Sequence, residues 1–202
     1  MTPRVWNDGR MKDELRNAVR VVALLNLAYF GVEFGVALMI GSVSLFADSI
    51  DFLEDASINV LILMALTWST LRRALIGKML AGIILIPGLA TFWMAWQKFV
   101  APMPPAPVPL LLTGTGALLV NFVCALILVR FRHHGGSLSL AAFLSARNDV
   151  LANAAIILAG IATGYTLSAW PDLIVGLGIA IMNAGAAGEV YKAARKETDA
   201  TI

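Results

Sequence analysis

Asp48, Asp51 and Asp55 fall on one face of a segment that is otherwise apolar enough to cross a membrane. At about 100° per helical residue, Asp51 and Asp55 project about 40° apart, and Asp48 lies within about 60° of both. Asn59 extends the stripe by one turn. A carboxylate in hydrocarbon is costly and persists where it serves a polar pathway. A second stripe, Ser145, Asp149 and Asn153, repeats every four residues near the other end of the chain. Three carboxylates brought together repel, and one or more holds a proton unless a cation sits between them. Such oxygen ligands suit a divalent metal ion. An empty site of this kind takes up protons that an incoming ion displaces. The chemistry expected is cation binding coupled to proton exchange.

The elements that must position these residues are membrane helices. The chain is 59% hydrophobic and 14% charged, with a mean hydropathy of +0.80, whereas soluble domains are about 25% charged. Met79–Gln97, Phe99–Val129 and Val150–Pro171 contain no Asp, Glu, Lys or Arg, and about 20 apolar residues suffice to cross a bilayer as a helix. The expected fold is an all-α polytopic membrane protein with six spans, at residues 21–40, 47–69, 79–97, 109–130, 140–163 and 172–191. Residues 1–20 form a charged cytoplasmic segment, expected to be helical and to lie along the membrane surface. Residues 21–191 form the transmembrane domain and 192–202 a short cytoplasmic tail. Four prolines in Pro102–Pro107 predict an extended loop between spans three and four. Gly176, Gly178, Gly185 and Gly188 make span six a close-packing face.

Basic residues set the orientation. With the N-terminus inside, thirteen Lys and Arg flank the spans on the cytoplasmic side, Lys98 alone lies outside, and Arg147 falls within span five. That asymmetry requires an even number of spans and places both termini in the cytoplasm. It also accounts for the net charge of +2 without nucleic acid as a partner. Cys124 lies mid-span and reads as a small core residue. By rise per residue, Asp149 lies about 15 Å and Asp55 about 22 Å from the cytoplasmic side, both near mid-bilayer. Spans two and five are therefore expected to face each other with Asp51, Asp55 and Asp149 converging.

Gly41–Asp55, Gly-Ser-Val-Ser-Leu-Phe-Ala-Asp-Ser-Ile-Asp-Phe-Leu-Glu-Asp, resembles the second-span signature of the cation diffusion facilitator family of metal exporters. Gly136–Asp149, Gly-Ser-Leu-Ser-Leu-Ala-Ala-Phe-Leu-Ser-Ala-Arg-Asn-Asp, resembles that family's start of span five. Asn26, Glu33 and the Trp-Pro-Asp-Leu-Ile run from Trp170 fit as well, and the likeness extends over residues 18–196. The resemblance implies that two residues from each of spans two and five bind the ion. Here they are Asp51, Asp55, Asp149 and Ser145, the last where most zinc-transporting members carry histidine. Asn148 or a water is the alternative fourth ligand, and Asp48 and Asn153 are accessory candidates. The resemblance further implies a homodimer in the cell (inner) membrane, embedded in lipid and exchanging metal for protons by alternating access. Zn²⁺ stands first as substrate, Cd²⁺ second, with Mn²⁺, Fe²⁺ and Co²⁺ open. No cofactor and no enzymatic activity are expected. The family's usual cytoplasmic domain is expected to be absent, since the sequence ends soon after span six.

Other readings compete at single residues. His133 and His134 resemble a shortened metal-collecting loop, or are plain solvated residues. Arg147 either snorkels to the cytoplasmic surface or pairs with Glu54. Glu33 either gates or relays protons, or takes a direct metal role. Asp48 either lines the exit path or serves the helix N-terminus. At the level of the whole protein, the alternatives are a passive cation channel and a non-transporting scaffold or regulator.

Overall fold

The computed structural model describes residues 6–65, 89–131 and 136–182, and the side chains of 13–64, 89–131 and 145–182. The described residues form six helices and no strand. They are α1 (Trp6–Ile40), α2 (Val43–Ala65), α3 (89–100), α4 (Pro107–Val129), α5 (Gly136–Thr166) and α6 (Trp170–Met182). By length and composition, Asp13–Ile40, Pro107–Val129 and Ser145–Thr166 can each cross a membrane, and Trp170–Met182 is a shorter apolar helix. α2 is long enough too, but it carries Asp48, Asp51, Glu54 and Asp55. The remainder of expected spans two, three and six, with His133, His134, Gly185 and Gly188, lies outside the described residues.

α1 runs unbroken from Trp6 to Ile40. The helical segment expected before residue 20 is thus continuous with the first span. The reason is an apolar stripe that continues below the expected span. Leu15, Val19 and Val22 are buried in one cluster with Ile62 of α2, Leu128 of α4 and Ala146 of α5. A second cluster joins Ala37, Leu45, Phe46, Ile50, Leu110 and Ile156. α1 packs along α2 and α4, α4 along α5, and α2 against α5. The outward faces are apolar in turn: Leu24, Met39, Leu112, Leu151 and Leu158 are exposed. Greasy outside and polar within is the arrangement expected of a bundle in lipid.

Three helix ends are legible in local chemistry. α1 stops at Gly41, whose φ of +64° is the left-handed cap that glycine adopts without strain. Ser42 N–H closes the turn on the Ala37 carbonyl at 3.0 Å. Ser42 then serves as N-cap of α2, its Oγ accepting from Leu45 N–H at 3.2 Å. The proline loop is shorter than expected, because α3 continues to residue 100 and α4 begins at Pro107. Proline is tolerated in a first turn, whose N–H groups have no partner within the helix.

Asp172, at the start of α6, ties this corner together. Its carboxylate accepts from Val43 N–H (2.9 Å), Ser44 N–H (3.2 Å), Ser42 Oγ (2.6 Å) and Ser44 Oγ (2.7 Å). Lys98 of α3 pairs with it at 3.1 Å, both side chains being buried, and also donates to the Gly41 carbonyl. An anion at a helix N-terminus meets free N–H groups and a favourable dipole. Beside this knot, Trp96 stacks on Phe99 at 6.1 Å and Phe99 meets Trp170 edge-to-face at 5.9 Å.

Gly176 sets how closely α6 meets the start of α2. A Cβ there would stand 2.6 Å from the Val43 carbonyl carbon and 2.7 Å from Ser44 N, both backbone atoms. Gly176→Ala is therefore expected to destabilise the protein by about 1–3 kcal/mol, read as a lower thermal midpoint in detergent. A Cβ added at Gly178 would meet nothing within 4 Å. Gly178→Ala should leave the midpoint unchanged or raise it, since alanine is favoured over glycine in a helix by about 1 kcal/mol.

Candidate metal-binding site

Two polar layers cross the bundle between the apolar clusters. The first centres on Asp55 of α2, which is buried. Ser145 of α5 donates to its Oδ1 at 2.8 Å. Asn26 of α1 donates to its Oδ2 at 3.5 Å, and Cys124 of α4 donates to Asn26 Oδ1 at 3.6 Å. Four helices thus orient one carboxylate. Asp149 of α5 lies beside Asp55. Asp51 lies one turn away on α2, near Asp149. Asp51 and Asp149 keep partial exposure, while Asp55 does not. The most accessible acids therefore flank the most tightly held one.

Asp55, Asp149 and Ser145 are brought together, and Asp51 lies beside them. Among the described residues, no three Asp, Glu, His or Cys side chains are grouped closely enough to cage an ion. The arrangement is a carboxylate pair with a hydroxyl and a third acid at its edge. Asn148 is exposed and accepts from Arg147 Nη2 at 3.3 Å, so it is turned away from Asp55. Arg147 is itself exposed and does not pair with Glu54. One oxygen of buried Glu54 has no hydrogen-bond partner. Asn59 turns back on its own helix and donates to the Asp55 carbonyl at 2.8 Å.

The second layer holds Asp48 and Asn153. Asn153 donates to Asp48 Oδ2, and Asn121 of α4 donates to Asn153 Oδ1 at 3.0 Å. Glu33 of α1 lies beside Asp48, and neither of its carboxylate oxygens has a hydrogen-bond partner. All four residues are buried. The accessory candidates Asp48 and Asn153 thus meet each other rather than Asp55.

Sequence reasoning misses Lys98, Asp172 and Asn121 as members of buried polar networks. From the sequence, Lys98 reads only as a loop charge, and Asp172 only as part of a motif. A usable signal exists for Asp172: a lone acid opening an apolar span, with Ser42 and Ser44 available at another helix start. Asn121 carries the weaker signal of a single amide in an otherwise apolar run.

The family model described as the cation efflux transmembrane domain matches residues 19–197. Among curated proteins, the zinc transporter ZitB of Pectobacterium atrosepticum is 30% identical over 171 residues, covering 76% of this chain and 52% of that protein. The chain spans about half the length of that relative.

Proposed function

Because this chain belongs to the cation efflux family, the cation diffusion facilitators, we propose that it exports a divalent transition-metal ion in exchange for protons. It is an integral membrane protein and a metal-cation transporter by family. The finer reading rests on one observation: Ser145 of α5 donates to Asp55 of α2 at 2.8 Å, which joins the polar faces of the two helices. Carboxylates crowded in a low-dielectric interior are neutralised by a doubly charged ion or by protons, not left bare. The ion enters from the cytoplasm between spans two and five and is held when Asp51, Asp149 and the Ser145 hydroxyl draw in around Asp55. It leaves outward when protons replace it. Six spans, both termini inside and a homodimer in the inner membrane complete the proposal. The burial of Lys98 against Asp172 supports that orientation, since the one basic residue assigned to the outside is neutralised.

The relative's name supports Zn²⁺ as the leading substrate, and Cd²⁺ follows it. The donor set is all oxygen, which also suits Mn²⁺. Purified protein in liposomes decides both substrate and coupling. With the compartment receiving the metal made more acidic, Zn²⁺ flux should rise several-fold over the collapsed-gradient rate. One pH unit adds about 1.4 kcal/mol of driving force per exchanged proton. Zn²⁺ flux indifferent to the gradient would instead indicate a passive pore, and no flux of any tested metal would indicate a scaffold.

A further inference from the structure

We propose that Glu33, Asp48, Asn153 and Asn121 form a second cation station, one step outward of the Asp55 layer, where the departing divalent ion pauses on oxygen ligands alone. The proposal rests on the transport reading above and extends it to the exit route. Its basis is the count of donors and acceptors in a closed space. Glu33, Asp48 and Asn153 have no exposed surface and Asn121 has 2%. Both Glu33 carboxylate oxygens, Asp48 Oδ1 and Asn121 Oδ1 have no hydrogen-bond partner. The contacts of the nearby donors go to other acceptors or stay within the layer, leaving these oxygens unanswered. The Asn153 amide goes to Asp48 and the Asn121 amide to Asn153. Tyr29, near Glu33 and Asp48, donates its hydroxyl to the Thr113 carbonyl at 2.7 Å.

No described basic side chain answers these acids either. Lys98 is spent on Asp172, Arg147 is exposed on Asn148, and Arg130 pairs with Glu14 at 3.0 Å. Buried acceptors are ordinarily satisfied, and two carboxylates side by side need a proton or a cation between them. Carboxylate and amide oxygens from α1, α2, α4 and α5 form a hard donor set, suited to Mn²⁺-like ions more than to thiophilic ones. Glu33 is seven residues from Asn26 on α1, and Asp48 is seven from Asp55 on α2. At 1.5 Å per residue, both spacings put the layers about 10 Å apart. That separation lets one ion move between stations without a second carboxylate cage at the first.

Mn²⁺ titration of the purified full chain, followed by calorimetry and electron paramagnetic resonance, tests this. The wild type should bind two Mn²⁺ per chain, and their spectrum should broaden as expected for ions about 10 Å apart. Glu33→Gln keeps the side-chain shape and should weaken one class by at least about tenfold, leaving the other intact. Asp149→Asn should do the reverse. Asn153→Asp adds a carboxylate beside Asp48 and should tighten the outer class several-fold, which keeps the test decisive if the Glu33 variant does not fold. A single class, lost in Asp149→Asn and untouched by Glu33→Gln and Asn153→Asp, would overturn the station and leave the transport reading standing. A class lost in Glu33→Gln, together with full transport by Asp149→Asn, would uphold the station and overturn the transport site.

Discussion

Proteoliposomes carrying the Asp51→Ala, Asp149→Ala double variant are expected to lose metal transport by at least about a hundredfold, the upper range seen when even outer-shell support of a metal site is removed. The two residues are chosen because they are the partly exposed acids flanking buried Asp55. They would meet an arriving ion first. The same change should not weaken the fold. Like charges gathered in a low-dielectric interior oppose folding, so removing two of them should leave the thermal midpoint unchanged or raise it. Transport and stability then move in opposite directions. If these acids merely hold helices together, both would fall. The isosteric Asp51→Asn, Asp149→Asn pair supplies the control for shape, and is expected to match the alanine pair in flux. Flux near the wild-type rate in either pair would sink the site assignment.

Why the acids are readable in the sequence, while their supports are not, is a matter of range. Asp48, Asp51 and Asp55 share one helix, so 3.6-residue periodicity alone places them on a common face. The pairing of that face with Ser145 and Asp149 follows from polarity, because two wet stripes in an oily bundle have little else to meet. Gly41 and Ser42 are local signals of a cap and a helix start, and α2 does begin there. The partition of the stripe into two layers is not local. Asp48 and Asp55 lie on one face, yet Asn153 takes the first and Ser145 the second. Which partner each acid finds depends on the relative height of α2 and α5. Hydrophobic pattern fixes the facing of a helix more sharply than its position along its axis. Asn121 and Asn26 illustrate the same limit, since an isolated amide announces a hydrogen bond without naming its partner.

Lys98 and Asp172 are separated by 74 residues, and their removal should have the largest effect on stability. Breaking a buried ion pair by deleting one partner costs about 3–5 kcal/mol, because the other charge is left uncompensated. Lys98→Met is expected to show that loss, although Ser42 and Ser44 still donate to the remaining carboxylate. Asp172→Leu should cost at least as much. It strands Lys98 and also removes the acceptor for Val43 and Ser44 N–H at the start of α2, with a lost cap worth about 1 kcal/mol more. The double variant Lys98→Met, Asp172→Leu separates these contributions. If the pair served only as a pair, an apolar replacement would restore stability, as it does for many buried salt bridges. Here the double variant should recover the charge penalty and keep the capping loss, ending about 1–2 kcal/mol below the wild type. The readout is the thermal midpoint of the detergent-solubilised protein across all four members of the cycle. Full recovery in the double variant would mean that α2 starts without help from Asp172. Persistent loss would identify the carboxylate as the anchor that sets the axial position of α2, and with it the height of Asp48, Asp51 and Asp55 in the bundle.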